Sequence, residues 1–370
     1  MKLINKMLAA AIGILAWQSA SAADVTLRFH QMLPPQATIP SKAIVPWALK
    51  VEKESGGRIK VQHFPSMQLG GKPPELFDQA KDGVADIVWT VLGYTPGRFP
   101  KSEVFELPFS SGMAEPASRA FHEYVEKNAM DEFKDVKLIV THVHGDGVVH
   151  MTNKPVRTMA DLRGVKLRAP TRMTNKFIAM LGATPVGMPV PQVSEALSKG
   201  VIDGAVVPYE VVPAVKIQEI AKFHSETDPA EPAFYTSTFM FVMNKDKYAI
   251  LPPDLKKIID ANSGQAFSGQ IGKVFILSDA EGKKLTVKNQ TNVIPKSELE
   301  SRLQPVAQGV EVRVRLRPDV RLTQTYGARR LDAAQAAAVR AQEVAVDEQV
   351  ARRDRIARDR HADIEGGMRF

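Results

Sequence analysis

Residues 161–208 read DLRGVKLRAPTRMTNKFIAMLGATPVGMPVPQVSEALSKGVIDGAVVP, and the rest of the chain is organised around them. The short apolar run Val165-Lys166-Leu167 delivers Arg168 just before Ala169-Pro170. A residue that precedes proline is pushed out of the α region, so this run reads as a strand that stops there. Arg168 therefore stands at a strand's carboxyl end, the edge where open α/β sheets collect their ligands. A helix is expected from Thr174, with Phe177, Ile178, Met180 and Leu181 at helical spacing and Gly182 as its stop. A strand over 184–188, a helix over 192–199 ended by Gly200, and a strand over 201–207 follow. The pattern is βαβαβ with a permanently charged, forked donor at its mouth. A guanidinium there suits a carboxylate, because it can bond both oxygens at once.

Working towards the N-terminus, the expected elements are a strand at 24–30, a helix from Ser41 to 54, and a strand at 59–64. A helix at 75–81 and a strand at 85–91 continue the alternation, which argues for a mainly parallel α/β sheet. A long helix is expected over 115–133, then strands at 137–144 and 147–151. Beyond the opening stretch, a helix should end over 219–223, and 233–243 (AFYTSTFMFVM) reads as a strand. A helix entered through Pro252-Pro253 should run to about 284, with a short strand at 292–294.

Residues 1–22 combine basic Lys2 and Lys6, an apolar run over 7–17 and the small-residue pattern Ala20-Ser21-Ala22. They read as a secretory signal peptide, too short in its apolar part to span a bilayer. The chain has no cysteine, so thiolate metal sites and cysteine nucleophiles are excluded and stability must come from a packed core. The formal charge is +8, but the distribution matters more. Positions 1–300 hold 27 Lys and 8 Arg, whereas 301–370 hold 14 Arg and no Lys; with ten acids, that tail supplies half of the net charge. The abrupt shift reads as an out-of-frame end, the alternative being a divergent basic extension.

Catalytic signatures are lacking. There is no GxSxG elbow, P-loop, GxGxxG with an acidic partner, or HExxH. His142, His144 and His150 have no carboxylate at ligand spacing, so no metal is expected; His144 or His150 is instead a candidate for lining a cleft. The basic tail lacks interleaved aromatics, which argues against nucleic acid. Trp89, Tyr94, Phe234 and Tyr235 fall at expected strand ends, where cleft residues of such sheets gather.

Several stretches together carry a family resemblance: FPSMQLGG at 64–71, AKDGVADI at 80–87, LPF at 107–109, DLRGVKLRAP at 161–170, LGATPVGMP at 181–189, EALSKGVIDGA at 195–205 and MNKDKYAILPPDLKKII at 243–259. The chain resembles the DctP family, the periplasmic solute-binding proteins of tripartite ATP-independent periplasmic (TRAP) transporters, over about 24–300. The resemblance implies an α/β, two-lobed periplasmic binding protein-like fold with mixed sheets, connecting strands and a hinge helix. Lobe I would take 23–145 with part of 233–275 returning to it, lobe II 146–232, and a helical hinge and closing region 246–300. It implies capture of an organic carboxylate between the lobes, with Arg168 as the carboxylate anchor. It also implies delivery to small and large membrane subunits by a monomer that uses no cofactor and performs no catalysis. Val91, Val148 and Val207 stand where sugar-acid members carry polar contacts, and Tyr209 adds a ring nearby. With hydroxyl partners replaced by valines, a polyhydroxylated ligand would lose hydrogen bonds, so the expected ligand is a low-polarity aromatic, branched, 2-oxo or 2-hydroxy acid. The expected site is Arg168, Trp89, Tyr94, His144, Val148, Val207, Tyr209 and Phe234. An exported enzyme acting on a small carboxylate and a ligand-sensing module for a receptor are the alternatives.

Overall fold

The computed structural model describes residues 24–228, 231–286, 290–295 and 297–298; the expected signal segment and the tail at 301–370 lie outside them. The strands are β1 (Val25–Gln31), β2 (Ile59–Phe64), β3 (Ile87–Val91), β4 (Val136–Val143), β5 (Val148–Met151), β6 (Lys166–Ala169), β7 (Thr184–Gly187), β8 (Gly204–Val207), β9 (Phe223–Thr227), β10 (Thr238–Asn244) and β11 (Gln290–Ile294). They form two sheets, ordered β2-β1-β3-β10-β4 and β11-β9-β5-β8-β6-β7. The chain passes from the first sheet to the second between β4 and β5, returns between β9 and β10, and crosses again through the helices that lead from β10 to β11, so three segments connect the lobes.

The βαβαβ unit forms as its sequence dictates, with β6 pairing parallel to both β7 and β8. Its first helix, Arg172–Met180, starts two residues earlier than expected, because Thr171 caps it and accepts from the Thr174 N–H. The first sheet is less parallel than the alternation suggested. β10 runs antiparallel between β3 and β4 and completes the sheet from a distant part of the chain.

Three expectations for elements are corrected. Residues 219–223 close only a one-turn helix, Ile217–Glu219, and then lead into β9, whose buried His224 and Ser225 lie between β5 and β11. Here burial in a sheet overrides weak local preference. In the run 233–243, only the part from Thr238 onward pairs as a strand; the residues before it cross between the lobes. The long C-terminal helix is two helices, Pro253–Ala261 and Gln265–Lys284. The break falls at Gly264, with φ 87° and ψ −164°, a conformation open essentially to glycine alone. Its N–H bonds the Ile139 carbonyl at 2.9 Å, which fixes the break against β4.

The helix Gln265–Lys284 touches both lobes. At its start Ser268 Oγ donates to the carbonyls of Ser118 and Thr141, each at 2.7 Å. Near its end Asp279 Oδ1 accepts the Glu210 N–H at 2.7 Å, and Lys283 Nζ pairs with Glu226 of β9 at 2.6 Å. No helix among the described residues is long and apolar enough to cross a membrane.

Candidate functional site

β6 carries Arg168 into the interior, where its residue is only 2% exposed. Strand pairing to β7 and β8 holds its backbone, and two carbonyls hold its side chain. Nε donates to Met188 O and Nη1 to Val206 O, both at 2.9 Å. Nη2 has no hydrogen-bond partner, and among the described residues no acid pairs with the guanidinium. A buried charge in that condition costs several kcal/mol, roughly, unless something of opposite sign meets it.

The space beside Arg168 is a cavity of about 40 Å³, closed in by both lobes. The first lobe contributes Leu33, Trp89, Val91, Tyr94, His144 and Phe239; the second contributes Arg168, Pro170, Val190, Val207, Glu210 and Val211. Trp89 and Phe239, stacked with ring centres 5.2 Å apart, both line it. The Trp89 N–H is spent on His142 Nε2 at 2.9 Å, so the indole offers the cavity only its face. His142 thus belongs to the wall's backing, and burial pushes its value down to about 3.

Tyr94 is a donor beside the arginine. The Val190 N–H donates to its hydroxyl oxygen at 2.9 Å, which leaves the phenolic proton for another acceptor. Burial pushes the Tyr94 phenol up, and the charge of Arg168 pulls it back. His144 bonds the Gly145 carbonyl through Nδ1 at 2.5 Å, and its ring meets Tyr235 edge-on at 5.1 Å. Burial, reinforced by Arg168, lowers its value to about 4, so it is neutral at pH 7 with Nε2 as an acceptor. Two further polar atoms on lining residues have no partner: Ser237 Oγ and Glu210 Oε1. The site can hold one anion by Arg168 and Tyr94 while stacking a flat apolar body.

Of the residues singled out from sequence, Arg168, Trp89, Tyr94, His144 and Val207 come together around this cavity, with Val91 and Tyr235 beside them. Three do not. Phe234 is buried in the second lobe's core against Phe177 and Phe109, because neighbours in extended chain face opposite ways and Tyr235 takes the cavity side. Tyr209 stands edge-on to His150 at 5.5 Å and lines a separate open cleft of about 620 Å³. It opens the one-turn helix Tyr209–Val211, where successive side chains diverge by about 120°, and Glu210 faces the cavity instead. Val148 lines the open cleft as well, next to Gly145 and Asp146. Sequence reasoning missed Glu210 and Ser237. Each lies one or two residues from an aromatic that drew attention, in VVPYE and AFYTSTF.

A further ion pair joins the lobes. Glu103, from the first lobe, is buried and takes a bidentate bond from Arg172 on the second, Nε to Oε1 at 2.7 Å and Nη2 to Oε2. Among the described residues no group of three or more His, Asp or Glu could hold a metal ion.

Residues 29–302 match the family model described as bacterial extracellular solute-binding protein, family 7 (DctP). The fold is similar to a TRAP solute-binding protein from Rhodoferax ferrireducens solved with copurified benzoate, at 52% identity and TM-score 0.74 over 76% of this chain and 88% of that one. A marine metagenome TRAP solute-binding protein specific for aromatic acid ligands, solved with 3-hydroxybenzoate, is 44% identical, with TM-score 0.73 over 77% of this chain and 91% of the other. A third, from Bordetella bronchiseptica with bound (R)- and (S)-mandelate, is 27% identical, with TM-score 0.71 over 77% and 91%.

Proposed function

This chain belongs to the bacterial extracellular solute-binding proteins of family 7, the DctP family of TRAP transporter binding proteins, and from that premise we propose that it captures a small aromatic monocarboxylate between its lobes. The observation that carries this reading is the buried Arg168, unpaired at Nη2, with no other cation among the described residues lining a cavity whose walls are mostly aromatic and aliphatic. One carboxylate completes the arginine and takes the Tyr94 proton, and a flat ring lies along Trp89 and Phe239. Val91 and Val207 offer nothing to a sugar's hydroxyls, which would be buried unpaired. The aromatic acids bound by the relatives from Rhodoferax ferrireducens and the marine metagenome support the same class.

Binding and closure are one event in this scheme. A ligand shifts the lobes only by binding the closed form better than the open one. The carboxylate does so because Arg168 from the second lobe and Tyr94 from the first converge on it. The closed, loaded monomer then passes its ligand to the small and large membrane subunits on the periplasmic side. Residues 1–22 act as the export signal, and the protein binds its ligand without converting it.

A thermal-shift panel tests the ligand class. Benzoate, 3-hydroxybenzoate and mandelate at saturating concentration should raise Tm by several degrees, since binding to the native state alone adds stability. Sugar acids and C4-dicarboxylates should leave it unchanged. Stabilisation by these last two groups only would overturn the reading.

A further inference from the structure

The Arg168 end of the cavity explains how a carboxylate is held, but not why an acidic side chain lines the same small space. Glu210 is 4% exposed and its Oε1 has no partner. Its backbone is fixed, with the N–H donating to Asp279 Oδ1 at 2.7 Å, so the side chain is delivered to the cavity wall by a rigid turn. Building on the aromatic-acid reading above, we propose that Glu210 reads a hydroxyl group on the ring of the bound acid and makes the cavity select hydroxy-substituted aromatic acids over unsubstituted ones.

Arg168 and Glu210 are two polar poles of one lining. The charge of Arg168 acts on Tyr94, His144 and Tyr235. The charges that act on Glu210 are those of Asp279 and Lys42, and the Thr38 side chain and Ile39 backbone lie within its reach. Between the poles the wall is the Trp89 and Phe239 rings with Val91 and Val207. In the proposed pose the carboxylate sits on Arg168, the ring lies among these lining residues, and a ring substituent meets Glu210.

An ionised glutamate there would repel an anionic ligand and be costly to bury. Burial, with Asp279 adding to it, raises Glu210 to about 8, which keeps it a neutral acid at pH 7. A neutral carboxyl has one O–H donor and acceptor oxygens, and a phenolic hydroxyl has the same pair of roles, so the two can satisfy each other. An unsubstituted ring sets only C–H against Oε1 and leaves a buried acceptor unmet. That asymmetry, an unmade bond costing more than a made bond gains, is what produces selectivity.

Calorimetric titration of the full chain with benzoate, 3-hydroxybenzoate and 4-hydroxybenzoate tests this. Wild type should bind one of the hydroxybenzoates about tenfold or more tighter than benzoate. Glu210→Leu should move the two ligands in opposite directions, benzoate tighter and that hydroxybenzoate weaker, bringing the ratio within about threefold of one. A folding defect would weaken both together. Glu210→Ala, which keeps the turn and only shortens the side chain, serves if leucine cannot be accommodated. If wild type binds the acids without preference, or if both variants shift all three by one common factor, the assignment to Glu210 is wrong while the aromatic-acid reading stands. If wild type binds none of the three, the aromatic-acid reading itself fails.

Discussion

Gly93 lies where the lobes meet beside Tyr94 of the cavity, and adding one methyl group there should act as a wedge. Gly93 follows β3 in the first lobe, and Thr171 follows β6 in the second. A Cβ on residue 93 would lie 2.4 Å from Thr171 Cγ2 and 2.6 Å from its Cβ. Relief needs a retreat of about 1 Å to ordinary contact distance. Thr171 cannot relieve this by turning, because its Cβ, itself 2.6 Å from the added atom, does not move when the side chain rotates, and its hydroxyl caps the helix Arg172–Met180. The cheaper response is for the closed lobes to part, loosening Tyr94–Val190 and Glu103–Arg172. Overpacking of this kind costs about 1–3 kcal/mol, borne by the closed state alone. Gly93→Ala should therefore weaken every ligand by one common factor, between about fivefold and 150-fold. If the strain is borne by the closed form alone, Tm of the ligand-free, open protein should hardly change. Calorimetry with benzoate and 3-hydroxybenzoate reads the factor. An affinity within twofold of wild type would show that Gly93 and Thr171 do not meet in the ligand-bound form.

Other outcomes follow from the same contacts. Tyr94→Phe removes the phenolic donor and leaves the Val190 N–H without its acceptor; a loss of about tenfold in affinity is expected by calorimetry, against no loss if the phenol is a bystander. Arg172→Ala leaves Glu103 buried without its bidentate partner, so faster ligand release should appear in stopped-flow exchange, and unchanged release would remove this pair from the closure mechanism. The pH dependence of stability has two opposed arms. Burial raises Asp146 to about 6, Glu106 and Asp279 to about 7, and Glu210 to about 8. Stability from these neutral acids is complete below their ordinary values of 3.8 and 4.5 and is lost as pH rises through 6 to 8. Burial lowers His142 and His150 to about 3 and His144 and His224 to about 4. Their contribution is complete above 6.5 and is lost as pH falls through 4 to 3. Tm should be nearly flat from about pH 4.5 to 6.5 and decline on either side, with Glu210→Gln softening the alkaline decline; a Tm that climbs from pH 6 to 8 would contradict these environments.

Much of this was legible in the sequence, and what was not has physical reasons. Arg168 could be placed from a strand followed by proline, since both features are local. Trp89, Tyr94 and Val207 were legible because the carboxyl ends of strands converge wherever such a sheet binds. β9 was not legible: Phe223–Thr227 has three polar residues at its centre, His224, Ser225 and Glu226, and only pairing between β5 and β11 makes it a strand. The helix break at Gly264 was hidden because a glycine inside a helical pattern is often tolerated. Tyr209 and Glu210 show the limit most clearly. A motif brings the chain to the cavity, but the turn after Pro208 decides which of two neighbours enters it, and that turn is set by contacts with the helix Gln265–Lys284. Phe234 and Tyr235 repeat the lesson in extended chain.

The central claim is that one ligand carboxylate completes Arg168. Replacing it with methionine keeps most of the side chain's volume and removes the charge. Titration of Arg168→Met with benzoate, alongside wild type, measures that claim directly. Removing one partner of a buried ion pair costs about 3–5 kcal/mol, so the affinity should fall by about 100-fold or more while the ligand-free protein keeps or gains Tm. An affinity for benzoate within about fivefold of wild type would mean that the carboxylate is held elsewhere.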